Sequence, residues 1–108
     1  MYIKVAKRVV DQTPEDFKKL LSEEDYRLTK VKSFRPDSMV IRGDSVIGLI
    51  EIVEVSDTRL PGLRIQGRAP WNYLRTSPIV KVIDSTENSI TFHTEGGEYL
   101  LEKVNYNA

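Results

Sequence analysis

The sequence predicts an α+β, mostly β fold: a small, strongly curved antiparallel sheet or partly open barrel with one short helix. Three observations predict it. Six or seven short segments either alternate apolar with polar residues or are rich in β-branched ones; turns of a few residues carrying Gly, Pro, Asn or Asp separate them; and one segment alone repeats its apolar residues at helical spacing. Connections this short leave no room for the crossover helices that a parallel sheet needs. At 108 residues and 40% hydrophobic, the chain holds material for one core and not two. Residues 1–108 are therefore read as a single domain whose site lies on one face or between subunits.

Taken in order, residues 2–10 read as a strand through Ile3, Val5, Val9 and Val10. At Thr13-Pro14-Glu15-Asp16 the signals of a helix start coincide: a capping hydroxyl, a proline at the first helical position and two acids at the positive end of the dipole. The helix runs over 14–22, with Phe17, Leu20 and Leu21 on one stripe that plugs an end or covers a face of the sheet. Residues 26–32 alternate, Tyr26, Leu28 and Lys30 on one face against Arg27, Thr29 and Val31, so at least one face is wet. Arg35-Pro36-Asp37 breaks that strand, 38–41 is a short one, and 42–45 is a turn. The turn spells Arg-Gly-Asp, which turn preference alone explains.

Residues 46–55 form a long apolar strand placed centrally, and 63–66 a short one inside the least regular stretch. Residues 73–83 resume β character around Pro78, which cannot donate to a ladder and so marks an edge, a bulge or a bend between two strands. A turn at 85–88, a strand at 89–94, a turn at Gly96-Gly97 and a strand at 98–104 complete a three-stranded meander. These phases predict burial of Phe17, Leu20, Leu21, Val46, Ile50, Ile52, Val80, Val82, Ile90, Phe92 and Leu101. So small a sheet has open edges and an uncovered face, which predicts a homo-oligomer.

Composition removes several kinds of chemistry. Without Cys there are no disulfides, zinc-thiolate sites or iron–sulfur clusters, and with one His and no Asp-rich loop no metal site is expected. Neither a P-loop nor Gly-x-Gly-x-x-Gly occurs, so no cofactor is expected either. No apolar run is long enough to span a bilayer, and residues 1–10 are too charged for the apolar centre of a signal peptide, which predicts a cytoplasmic protein. His93 lies on an alternating strand, Ser77 lacks a base unless His93 approaches it, and Glu95 with Glu98 bracket a glycine turn as hairpin acids do. A non-enzyme is expected.

Charge carries the main functional clue. Lys+Arg and Asp+Glu both number 16, a formal net charge of zero that disfavours a nucleic-acid partner. The zero is an average over blocks: +3 over 1–10, −4 over 11–25, +4 over 26–42, −4 over 43–57, +5 over 58–81 and −4 over 82–108. Pairing of oppositely charged strands explains such alternation in general. The 58–81 block is special in holding Arg59, Arg64, Arg68, Arg75 and Lys81 with no acid, together with the only Trp and several Gly and Pro. Guanidinium forks for an anion, rings to stack on, and hydroxyls or an amide to read polar edges suit a phosphorylated planar ligand.

The candidate ligand-binding residues are Arg64, Arg68, Trp71, Asn72, Tyr73, Arg75, Thr76 and Ser77. The expected geometry is a ledge beside the Gly96-Gly97 turn: Arg75 forks a phosphate, Thr76 and Ser77 donate to it, Trp71 or Tyr73 stacks on a base, and Arg64 or Arg68 closes from the other side. If Trp71 and Tyr73 are instead core anchors they will be buried; an exposed loop Trp favours the ligand site.

Residues Asn72-Tyr73-Leu74-Arg75-Thr76-Ser77-Pro78-Ile79-Val80 after Trp71, then Phe92-His93-Thr94 and Glu98-Tyr99-Leu100-Leu101, resemble small bacteriophage anti-defence proteins of the nucleotide-sponge kind, the Thoeris anti-defence family. The resemblance covers about a third of the chain, and Gly96-Gly97 stands where that pattern has a basic-polar pair. It implies a phage protein acting in the host cytoplasm by sequestering a cyclic-ADP-ribose-type signalling nucleotide. The residues themselves leave two partners open: a phosphorylated small molecule, or a host defence protein blocked by acidic strands or by strand addition at a sheet edge.

Overall fold

Alternation organises most of the chain. A computed structural model describes residues 2–3 (backbone only), 6–20, 24–35, 43–56 and 58–104. The elements are β1 (Tyr2–Ile3), α1 (Lys7–Gln12), α2 (Glu15–Lys18), β2 (Tyr26–Ser33), β3 (Ser45–Val55), β4 (Leu60–Gln66), β5 (Tyr73–Arg75), β6 (Ile79–Ser85), β7 (Ser89–Thr94) and β8 (Gly97–Lys103). Seven strands form one antiparallel sheet in the order β5-β4-β3-β2-β8-β7-β6, and β1 adds in parallel to β3. The fold is mostly β and the sheet does not close. Among the described residues no helix is long and apolar enough to cross a membrane.

The sheet is rolled, and connectivity requires it. β5 and β6 are the two ends of the path, yet only residues 76–78 join them. In a flat sheet the end strands would stand about 29 Å apart, six spacings of about 4.8 Å, whereas the joining chain can span at most about 14 Å. Pro78 thus sits at the bend between two strands, as expected. Thr76 fastens the join: its backbone N–H donates to the Leu63 carbonyl (2.9 Å), and its hydroxyl accepts from the Leu63 N–H (3.0 Å) while donating to the Ser77 carbonyl (2.8 Å). On the other side the Glu95 N–H donates to the Pro78 carbonyl (3.1 Å), tying the bend to the β7–β8 turn.

Inward residues of successive strands fill the roll: Tyr26 and Leu28, Val46, Ile50 and Ile52, Leu63 and Ile65, Leu74, Ile90 and Phe92, Tyr99 and Leu101. Each such side chain contributes about 1.5–3 kcal/mol by leaving water. Phe17 of α2 meets Phe92 edge-on at 5.0 Å, and Phe92 stacks on Tyr99 at 5.7 Å, so the helical plug is real although small. Gly97 permits a close approach, since a Cβ there would strike the Lys32 carbonyl oxygen and lie 2.8 Å from Lys30 Cε.

Several expectations need correction. Residues 7–10 are helical rather than extended: Val9 is buried by docking one turn of α1 against β3 and β4, and that contact overrides the β preference of its valines. Thr13 does not cap the second helix; it ends α1, and its hydroxyl donates back to the Val9 carbonyl (2.9 Å), while Pro14 takes the N-cap position. The described helix there is four residues long. β4 begins at Leu60, with Pro61 inside it, where the strand has β3 on one side only. The β1–β3 pair is parallel, against an all-antiparallel expectation.

Of the expected core, Val80 is exposed, because β6 bulges at two points and the strict phase fails there. Leu20 and Val82 are partly buried against the core. Leu21 and the expected strand at 38–41 lie outside the described residues, as does Arg42 of the turn. Lys30, in phase with Tyr26 and Leu28, is 1% exposed and belongs to the interior.

Candidate functional site

β3 is longer than either neighbour, and that mismatch makes a notch. Residues 45–48 pair with β2 on one edge, but on the other edge β4 pairs only from Leu49 onward. β4 ends at Gln66, and the chain swings away through residues 67–72. A Cβ on Gly48 would collide with the Gln66 carbonyl oxygen, so glycine is what lets the departing chain pass this close to β3.

Hydrogen bonds hold the loop in shape. The Gly67 N–H donates to the Asn72 carbonyl (2.7 Å), the Asn72 N–H to the Ala69 carbonyl (2.9 Å), and Gln66 Nε2 to the Ala69 carbonyl (3.0 Å). Between β3 and this loop lies a cavity of about 690 Å³, lined by Asp25, residues 45–49, Gln66, Gly67, Arg68 and Asn72. Its size suits a small-molecule ligand, and its lining joins an apolar wall to the polar side chains of Asp25, Ser45, Gln66, Arg68 and Asn72. The wall is Val46, Ile47 and Leu49, and Arg68 is the one cation among the lining residues.

The outer face of β3-β4-β5 continues from the cavity. Register places Leu49, Gln66 and Tyr73 in one cross-strand row and Glu51, Arg64 and Arg75 in the next. Arg64 is committed: one guanidinium nitrogen contacts Glu51 Oε1 at 2.9 Å, another donates to Gln66 Oε1 at 2.6 Å, and its Cζ lies 5.3 Å from the centre of the Tyr73 ring. A second, smaller cavity of about 290 Å³ is lined by Val53, Glu54, Val55, Ser56, Arg75, Thr76 and Ser77.

The eight expected site residues therefore divide. Arg68 and Asn72 line the larger cavity, while Arg75, Thr76 and Ser77 line the smaller one. Arg64 and Tyr73 stand on the outer face, and Trp71 is 82% exposed in the loop. Neither aromatic is a core anchor, since Tyr73 is 49% exposed. Thr76 is buried with its hydroxyl engaged in the bend, and Ser77 packs so near Gly96 that a Cβ there would lie 2.8 Å from its Oγ. The ledge beside Gly96 exists at Ser77 and Pro78, and the Thr76 hydroxyl next to it is engaged in the bend.

Sequence reasoning passed over Ile47, Leu49 and Gln66. A signal was present: residues 46–50 are apolar on both strand faces apart from Gly48, more than a single core face uses.

The acids and His93 resolve into local pairs. His93 Nε2 lies 2.8 Å from Glu98 Oε1, with the Phe34 ring edge-on at 5.2 Å, and Arg35 reaches Glu95 at 3.8 Å. Glu95 and Glu98 thus have separate partners. Inside the roll, the Lys30 amine sits 5.9 Å from the Tyr99 ring centre. Burial lowers the Lys30 pKa from its ordinary 10.5, opposed by the charge of Asp44. Burial, with Asp44 adding to it, pushes the Tyr99 phenol up to about 12. Among the described residues, no three His, Asp or Glu side chains gather as a metal site would require. No family model, curated protein or solved structure matches the chain, so a functional reading stands on this geometry and on the resemblance carried by residues 71–101.

Proposed function

We propose that the chain is a non-enzymatic binding protein, phage-encoded and acting in the host cytoplasm, that sequesters a phosphorylated small molecule such as a nucleotide immune signal. The observation that carries this is the notch itself: a ligand-sized cavity with an apolar β3 wall whose lining includes Arg68 and the amides of Gln66 and Asn72, beside a loop that also bears an exposed tryptophan. Among the described residues Arg68 has no ion-pair partner, whereas Arg64 is held by Glu51. Arg68 forks the phosphate, Asn72 reads a polar edge, and Ile47 with Leu49 take the apolar side of the ligand. The resemblance to the nucleotide sponges points to the same ligand class.

The test is depletion. Pure protein incubated with a nucleotide panel removes one species from the ultrafiltrate and returns it intact on heat denaturation. Arg68→Ala weakens capture of a mononucleotide about ten- to a hundredfold, the value of one charge-assisted bidentate contact of about 1.5–3 kcal/mol, and Arg75→Ala in the smaller cavity leaves mononucleotide capture within about twofold. No uptake sinks the proposal, and a cleaved product moves the protein to the enzymes. If Arg75→Ala damages mononucleotide capture and Arg68→Ala does not, the site lies at the smaller cavity.

A second reading, an inhibitor that binds a host defence protein, is favoured by one observation. β6 is an end strand of the sheet, and Val80 and Ile83 on it are 59% and 46% exposed. Strand addition there leaves Arg68 idle, so a partner complex that survives Arg68→Ala and is lost in Val80→Glu with Ile83→Glu supports this reading over capture.

A further inference from the structure

Reading the notch as a nucleotide site, we infer that its ligand class carries two bases joined through phosphate, one base in the notch and the second stacked on Tyr73 and Trp71. The inference rests on that reading and extends it along the sheet. Leu49 and Gln66 line the cavity, and Tyr73 is the next residue in their row, one strand spacing of about 4.8 Å beyond Gln66. A ligand that fills the notch and continues outward meets Tyr73 first.

The ring is held in place for that contact. Arg64 lies against Tyr73, and Arg64 is itself fixed by Glu51 and Gln66. Arg64 is thus a positioning residue: it takes one side of the ring, fixes its plane, and lowers the rotamer entropy lost when a base stacks on it. Trp71, two residues earlier, is the most exposed large hydrophobic side chain among the described residues. Stacking on such rings suits any base and needs no hydrogen-bond readout.

Charge fits a phosphate on either side of the aromatic pair. Arg68 precedes Trp71 at the cavity, and Arg75 follows Tyr73 by two residues on the same face of β5. Neither has an ion-pair partner among the described residues, and Arg75 stands directly opposite Arg64, a like-charge pairing that an anion relieves. The bridging phosphate meets Arg68, and a terminal phosphate meets Arg75. The same chemistry is offered by a free dinucleotide and by two successive nucleotides of a single strand.

The single tryptophan is a built-in reporter. Mononucleotides, 5′-phosphorylated dinucleotides and ten-nucleotide single strands of all four bases are titrated with calorimetry and Trp71 emission read in parallel. The best dinucleotide binds about 5- to 150-fold more tightly than its mononucleotide and changes the emission, which the mononucleotide does not. Trp71→Ala with Tyr73→Ala, both exposed positions, removes most of the dinucleotide's gain and leaves the mononucleotide's affinity unchanged. Arg68→Ala weakens both. A ten-nucleotide strand that binds no tighter per site than the dinucleotide identifies a free dinucleotide as the ligand; a further salt-sensitive gain identifies a strand. Mononucleotide binding with no dinucleotide gain, or a gain that survives loss of both rings, overturns this inference and leaves the notch reading standing. Uptake of neither overturns both.

Discussion

Thr76→Val separates a structural hydroxyl from a ligand-binding one. The substitution keeps shape and volume but deletes the acceptor of the buried Leu63 N–H at 3.0 Å and the donor to the Ser77 carbonyl at 2.8 Å. The carbonyl belongs to a half-buried residue and can turn to water, but Leu63 is fully buried and its N–H cannot. Leaving such a donor unpaired costs about 1–3 kcal/mol, a large part of the roughly 5–15 kcal/mol that holds a domain folded. A chain of 108 residues melts with an entropy of about 0.2 kcal/mol/K, so the melting temperature should fall by about 4–13 °C. Thr76→Ser keeps the hydroxyl and loses one methyl group, worth about 0.8 kcal/mol, so it should fall less than the valine variant. Calorimetric melts give the ranking, and amide exchange of Leu63 gives the mechanism, since its protection should drop in the valine variant alone. A valine variant as stable as the parent, or less damaged than the serine variant, refutes the claim that this hydroxyl fastens the two ends of the sheet. If the fold holds and ligand capture is what disappears, Thr76 is a ligand donor after all.

The remaining predictions concern the interior and the edge. Lys30, its pKa lowered by burial, takes up fewer protons folded than unfolded between its folded pKa and 10.5, so stability should rise with pH across that window. Tyr99, raised to about 12, holds its proton in the fold after the unfolded chain has lost it, so stability should fall between pH 10 and 12. Urea midpoints from neutral pH upward should therefore climb and then fall, and in Lys30→Met only the fall should remain; a climb that persists in that variant shows that Lys30 is not its source. The chain should also self-associate: pairing β6 with β6 of a second copy about an axis between Val82 and Ile83 sets Lys81 opposite the second copy's Asp84, two complementary charge pairs around exposed Val80 and Ile83. Light scattering at about tens of micromolar should show dimer, and Lys81→Glu should return it to monomer; parent protein that is monomeric there refutes the pairing.

Local pattern reached some parts of this molecule and stopped short of others. The meander of β6, β7 and β8 was legible because strict alternation and two turn signals agree there, and Ser89–Thr94 came out at its observed bounds. The inward phases of β3, β7 and β8 were legible for the same reason. α1 was not, because one turn containing two valines has no local signal strong enough to oppose a strand reading; its docking on β3 and β4 decides it. Val80 was misphased because two bulges shift the register of β6, and a bulge leaves no mark in an alternating sequence. Lys30 was assigned to the correct face, but that this face is the buried one follows only from the rolling of the sheet, which turns Tyr26 and Leu28 into the core.

Charge blocking shows most clearly what a strand order adds to a sequence. β2, from a positive block, lies between β3 and β8, from negative ones, and β4 with β5 flank β3 on its other side. Ion pairs Arg64–Glu51, Arg8–Glu54 and Lys103–Glu24, each at 2.9 Å, then follow from register and docking. Arg64–Glu51 and Arg8–Glu54 join blocks of opposite sign, whereas Lys103–Glu24 joins two negative ones. Within residues 58–81, subtracting Arg64 leaves Arg59, Arg68, Arg75 and Lys81 without ion pairs among the described residues. Arg59 occupies the β3–β4 turn at positive φ (58°) and Lys81 lies on β6, away from either cavity lining. The two that remain, Arg68 and Arg75, bracket Trp71 and Tyr73. Composition singled out this block by counting its arginines; the strand order adds that, of the expected site arginines it holds, Arg64 is spent on Glu51 while Arg68 and Arg75 line separate cavities.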